Sequence, residues 1–141
     1  KFGECCKRIQ DLKISGSKAE PLFLQLFMQS LNKGGRSAIV VPDGILFNEN
    51  AMYKNTRKYL VEHFDLKKVI QIPNGLFLNT GVKTSILFFS NTGKTSNIEF
   101  VELTLGDKDK ITENTSLNVN YETIKQNGYS LTLNKFMHIL F

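Results

Sequence analysis

The chain has 141 residues, 41% of them apolar and 22% charged, which suits one compact domain and excludes a disordered chain. Its net charge of +5 leans toward a polyanionic partner, with ten Lys or Arg against five acids in residues 1–60, yet no basic run stands out beyond doublets such as Lys7-Arg8, Arg57-Lys58 and Lys67-Lys68. The adjacent pair Cys5-Cys6 cannot staple a fold and lacks the spacing of a thiolate metal site, and no apolar stretch approaches 18 residues, so a reducing, cytoplasmic setting without a membrane span is expected.

The chain opens on Lys1-Phe2-Gly3-Glu4, without an initiating methionine or an apolar signal region, and is expected to be a cut or incomplete piece. Residues 1–17 show no steady period and read as a loop or truncated edge. A helix is predicted from about Lys18 to Asn32, burying a stripe of Leu22, Phe23, Leu26, Phe27, Ser30 and Leu31. Its start is open: Ser17 with Glu20 has capping-box spacing, whereas Glu20-Pro21 would set the proline at the first helical position. Gly34-Gly35 is expected to end it through a left-handed cap.

A short buried strand, Ser37 to Val41, then closes on Pro42-Asp43-Gly44, the pattern of an α/β unit. Asn48 or Asn50 can cap a second helix to about His63, with Met52, Thr56, Tyr59, Leu60 and His63 inward. A strand from Leu66 to Ile72 stops at Pro73-Asn74-Gly75, and a glycine-bearing loop leads into the strand Lys83 to Phe89. Asn91-Thr92-Gly93-Lys94 reads as a hairpin turn before a more exposed strand, Asn97 to Leu105. Residues 106–141 look peripheral, with a short helix near Tyr121 to Gln126, and the apolar end from Phe136 to Phe141 either packs back or marks another layer.

Several motifs can be set aside. Thr92-Gly93-Lys94-Thr95 is no phosphate loop, because Phe88 stands where the earlier glycine is needed and a strand follows. His63 and His138 lie far apart without clustered partners, so no metal site is expected. Two places remain of interest. Asp43 and Gly44 end a presumed parallel strand, where open α/β sheets bind ligands. The loop of residues 74–84 places Leu76, Phe77 and Leu78 between two glycines, beside Lys83. On pattern alone an ordinary strand-to-helix turn and simple loop anchoring are the favoured readings of the two.

A family resemblance then appears. Glu20-Pro21-Leu22-Phe23, Gly34-Gly35-Arg36, Ile39-Val40-Val41-Pro42-Asp43-Gly44, Thr56-Arg57-Lys58-Tyr59-Leu60, Val69-Ile70-Gln71-Ile72-Pro73-Asn74-Gly75 and Phe77-Leu78-Asn79-Thr80-Gly81-Val82-Lys83-Thr84-Ser85-Ile86-Leu87-Phe88-Phe89 follow in order. This series, over about residues 18–103, resembles the modification subunit of type I restriction–modification systems, and Gly128-Tyr129 resembles a stretch near the end of such catalytic domains.

The resemblance implies an N6-adenine DNA methyltransferase of the Rossmann-like class I fold that uses S-adenosylmethionine. The strands at 37–41, 66–72 and 84–90 would be its fifth, sixth and seventh, the last forming an antiparallel, hairpin-like insertion. Residues 18–105 would then be the C-terminal half of the catalytic domain, flanked by the edge 1–17 and the extension 106–141. The family's glycine-rich cofactor loop and its Asn-Pro-Pro-Phe/Tyr motif are absent from these residues, so the chain alone is expected to bind no cofactor and to carry no catalytic residue. What remains is the target-base side: Asp43, Gly44, Phe77, Asn79, Thr80, Gly81 and Val82 lining the crevice, with Lys83 as a phosphate contact. DNA, a separate specificity subunit and a restriction nuclease subunit are the implied partners. A noncatalytic DNA-binding or scaffold module on the same fold stays open as an alternative.

Overall fold

The computed structural model describes residues 12, 14, 16, 18–73 and 82–140, without the side chains of 109 and 138–140. In chain order these form α1 (Ala19–Ser30), β1 (Arg36–Pro42), the single turn α2 (Gly44–Phe47), α3 (Ala51–His63), β2 (Asp65–Gln71), β3 (Thr84–Ser90), β4 (Asn97–Leu105), β5 (Ile111–Asn120), α4 (Tyr121–Gln126) and α5 (Leu133–Leu140). No described helix is long and apolar enough to cross a membrane.

The sheet has five strands in the order β1-β3-β2-β4-β5. β3 lies antiparallel to both β1 and β2, β4 runs parallel to β2, and β5 closes the far side antiparallel to β4. The expected antiparallel insertion is therefore β3, wedged between two strands that point the same way. One row of side chains crosses the sheet as Ile39, Leu87, Val69, Phe100 and Leu117. It packs in one cluster with Leu24 and Met28 of α1 and with Leu60 and Val61 of α3. A bulge between Leu66 and Lys68 lets Leu66 and Val69, three apart, both reach that core.

Several expectations change. The buried stripe of α1 is Pro21, Leu24, Gln25 and Met28, while Phe23 is 57% exposed. The helix is apolar around most of its circumference, so period alone could not choose a face. Packing on α3 chose it, and there buried Gln25 donates to Thr56 Oγ1 at 2.9 Å. The helix stops at Ser30 with an extended Leu31, and Gly34, left-handed at φ 81°, serves the turn into β1 instead. Its N–H there meets the Asn91 carbonyl at 2.8 Å. Of the two expected candidates it is Asn50 that caps α3, accepting from Met52 N at 3.0 Å. That helix buries Arg57 and Val61 alongside Met52, Thr56 and Leu60, whereas Tyr59 is half-buried and His63 exposed. β1 is buried on one face only, with Val40 53% exposed.

The segment after β3 is not a hairpin turn, because β3 and β4 are not neighbours. It crosses the start of β2, where the buried Thr95 hydroxyl donates to Phe64 O at 2.6 Å and accepts from Leu66 N at 2.8 Å. Nor is β4 an exposed strand. Ile98 and Phe100 are almost wholly buried because β5 pairs along its outer side. The segment 106–141 thus supplies an edge strand, and it also adds Tyr121, Ile124, Tyr129, Leu131, Leu133 and Phe136 to the buried cluster. The Phe136 ring lies 5.3 Å from that of Phe100, so this residue packs back on the sheet.

Leu87, on the interior strand β3 and fully buried, is the natural probe of this core. Leu87→Ala is expected to destabilise the fold by about 2–5 kcal/mol in urea titration, and a loss below roughly 1 kcal/mol would show that the site collapses freely.

Candidate functional site at the carboxyl ends of the strands

Because β3 runs against its neighbours, its first residues lie between the last residues of β1 and β2. Backbone bonds hold this junction: Asp43 N donates to Lys83 O at 2.9 Å, and Ile72 N to Thr84 O at 3.1 Å. Asp43, Gly44, Val82 and Lys83, far apart in sequence, thereby come together around one cavity of about 620 Å³. Phe77, Asn79, Thr80 and Gly81 fall outside the described residues.

The floor of this cavity follows from strand period. Two residues along from Leu87 and Val69, on the same face, stand Ser85 and Gln71, paired in register and flanked by Val41. An apolar row thus gives way to a polar one at the sheet's edge. The Ser85 hydroxyl donates to Asp43 Oδ1 at 2.7 Å, fixing the carboxylate over the floor. Leu46 and Phe47 of α2 form one wall, and Leu131, Thr132 and Asn134 another. Val82 and Lys83 are exposed at the mouth.

Behind the walls lies Arg57, only 1% exposed. Its Nε donates to Tyr129 O at 2.8 Å, and Nη1 donates to Ile45 O and Asn48 O, both at 2.9 Å. Burial lowers its pKa to about 10, partly opposed by Glu49, so the guanidinium stays charged at neutral pH. Tyr129 itself sits in the left-handed region, φ 60°, directly after left-handed Gly128. Burial, with the neighbouring Tyr121 and Glu62, holds the Tyr129 hydroxyl above its ordinary range.

Chemically, the cavity offers apolar walls, neutral hydrogen-bonding groups on its floor and one carboxylate already engaged by a serine. Among the described residues no three His, Cys, Asp or Glu side chains gather for a metal. This arrangement suits a partly apolar ligand with a polar edge. Sequence reading missed Ser85, Gln71, Thr132, Asn134 and Arg57. The first two carried a usable signal, as polar residues at inward positions of otherwise apolar strands. The others carried none, since chain order does not reveal that residues near 130 return to residues near 45.

Two outcomes are expected. Ser85→Ala should cost about 1–3 kcal/mol in chemical denaturation, since it leaves a half-buried carboxylate without its donor. Tyr129 contributes stability that is present below its unfolded pKa of about 10 and is lost as pH rises past it, because the unfolded phenol ionises first. Tyr129→Phe should therefore flatten the loss of stability above about pH 10 relative to the wild type, and parallel profiles would rule that contribution out.

Comparison with known proteins adds to this geometry. The N-6 DNA Methylase family model matches residues 7–117. The type I restriction enzyme EcoEI methylase subunit of Escherichia coli is 44% identical over 82 residues, covering 57% of this chain and 16% of that protein. The type I restriction enzyme MpnII methylase subunit of Mycoplasma pneumoniae is 30% identical over 145 residues, covering 86% of this chain and 26% of that protein. Among solved structures, the type I restriction-modification system methyltransferase subunit from Streptococcus thermophilus is similar with a TM-score of 0.68 at 25% identity, over 84% of this chain and 30% of that one. The chain thus spans less than a third of the length of each of these relatives.

Proposed function

The chain belongs to the N-6 DNA methylase family, and from that premise we propose that it builds the target-base side of the crevice in an adenine-specific DNA methyltransferase. The observation that carries this reading is the polar row Ser85–Gln71 under a cavity of about 620 Å³ at the strands' carboxyl ends. An adenine amino nitrogen paired inside a duplex is out of reach of a methyl donor, so the base must be turned out and held. Apolar walls beside a hydrogen-bonding floor serve that purpose. Phe77, Asn79, Thr80, Gly81 and Val82 would complete the rim, and Lys83 at the mouth would meet a backbone phosphate, adding affinity and salt dependence with little sequence preference.

The family's methyl donor is S-adenosylmethionine, and the residues here do not fit it. Gly44 is the one glycine lining the cavity among the described residues, so no glycine-rich turn faces it to receive the donor. The glycine-rich loop and Asn-Pro-Pro-Phe/Tyr motif do not occur in the 141 residues. No chemical step is therefore assigned to this chain. Its contribution is orientation of the base, the larger part of what such a transfer needs from a protein. The relatives are named as subunits of type I restriction enzymes, which supports DNA, a specificity subunit and a restriction nuclease subunit as partners of the whole protein.

Calorimetric titration of the 141-residue chain with S-adenosylmethionine is expected to give no saturable heat, and a stoichiometric micromolar constant would contradict this division of labour. In the whole protein, Phe77→Ala should weaken methylation of duplex DNA more than of DNA with a mismatched target, which is already partly unstacked. Equal losses on both would remove the base-holding role from Phe77. Absence of any methyl transfer by the whole protein would leave a noncatalytic DNA-binding or scaffold module as the reading.

A further inference from the structure

Arg57 does not line the cavity, yet it touches the backbone of both segments that do. On one side it takes the carbonyls of Ile45 and Asn48, at the two ends of the stretch that presents Leu46 and Phe47. A four-residue helix satisfies few of its own carbonyls, so these acceptors have little else to bind. On the other side it takes the carbonyl of Tyr129, just before the stretch that presents Leu131, Thr132 and Asn134. A left-handed backbone is disfavoured for an aromatic residue and persists where surroundings over-determine it. The two walls also meet directly, Leu131 N donating to Leu46 O at 2.9 Å.

Stability alone is a poor reason for this side chain. A buried guanidinium must be stripped of water, and an apolar residue of similar size often serves a core equally well. Among the described residues its Nη2 has no partner, which adds to the penalty. What an apolar residue could not do is join three carbonyls of two loops in one rigid plane.

We infer that Arg57 is a positioning residue, whose planar fork fixes the spacing between the α2 wall and the 131–134 wall of the crevice and so sets the pose of the bound base. The inference rests on the proposed base-holding role of the cavity. Arg57→Lys keeps the charge and can reach one carbonyl set but not both, whereas Arg57→Met removes the bonds while keeping bulk.

The test uses the whole protein, with hydrogen exchange and steady-state methylation of an adenine-containing duplex measured side by side. In Arg57→Lys the Leu131 and Tyr129 amides should exchange about tenfold faster, with those of Val69 and Leu87 unchanged. The kcat should fall by about 100-fold, while the S-adenosylmethionine Kd stays within about twofold. Arg57→Met should fall further in kcat, and Arg57→Lys should recover part of that loss. Exchange that quickens evenly through the core, or wild-type kcat despite freed wall amides, would overturn the inference. A wild-type protein without methyl transfer would instead sink the proposed function. In that case the exchange pattern still decides whether Arg57 holds the walls.

Discussion

The placement of β3 governs this molecule. It runs antiparallel between β1 and β2, which point the same way, so the start of one strand is held among the ends of two others. Asp43 arrives from the end of β1 and Gln71 from the end of β2, while Lys83 and Ser85 come from the entry to β3. Had β3 paired at an edge instead, it could not have joined both Asp43 and Gln71. The hydrogen bonds from Asp43 N to Lys83 O and from Ser85 Oγ to Asp43 Oδ1 are the local record of that insertion.

Around this junction the fold changes character over a single pleat. The row through Leu87 and Val69 is fully apolar and merges with α1 and α3. One pleat onward the row through Ser85 and Gln71 is polar and opens to the cavity. The walls come from short segments with little regular structure of their own, and they are tied by a charged side chain through carbonyl oxygens. A rigid apolar sheet under loops held by directed bonds separates stability from site geometry, since hydrophobic contact is indifferent to small rotations that a hydrogen bond resists.

Family membership and physical reading meet at the same place by different routes. The match over residues 7–117 takes in both parts of the cavity junction, Asp43-Gly44 and Val82 to Ser85. The stretch from Tyr129 to Asn134, which supplies a wall and one of the three carbonyls held by Arg57, lies beyond that match. The residues past 105 were expected at the periphery, and their polar composition suits β5, most of which is exposed. Leu131, Leu133 and Phe136 are nonetheless as buried as the strands.

Local chemistry was enough for much of this. An asparagine cap on α3 from position 48 or 50, the three strands that flank the crevice, the helix Tyr121–Gln126 and the grouping of Asp43 with Lys83 all follow from short-range pattern or from the family resemblance, because caps, periods and turn residues act over a few positions. Folding in space decided what those patterns leave degenerate. An α1 apolar nearly all round has no preferred face until α3 is beside it, and β4 is buried or exposed according to whether β5 pairs with it. In the sequence Arg57 is one half of a basic doublet with Lys58. It is the join between two crevice walls because carbonyls from positions 45, 48 and 129 converge on it, and convergence over such separations is a property of the packed chain alone.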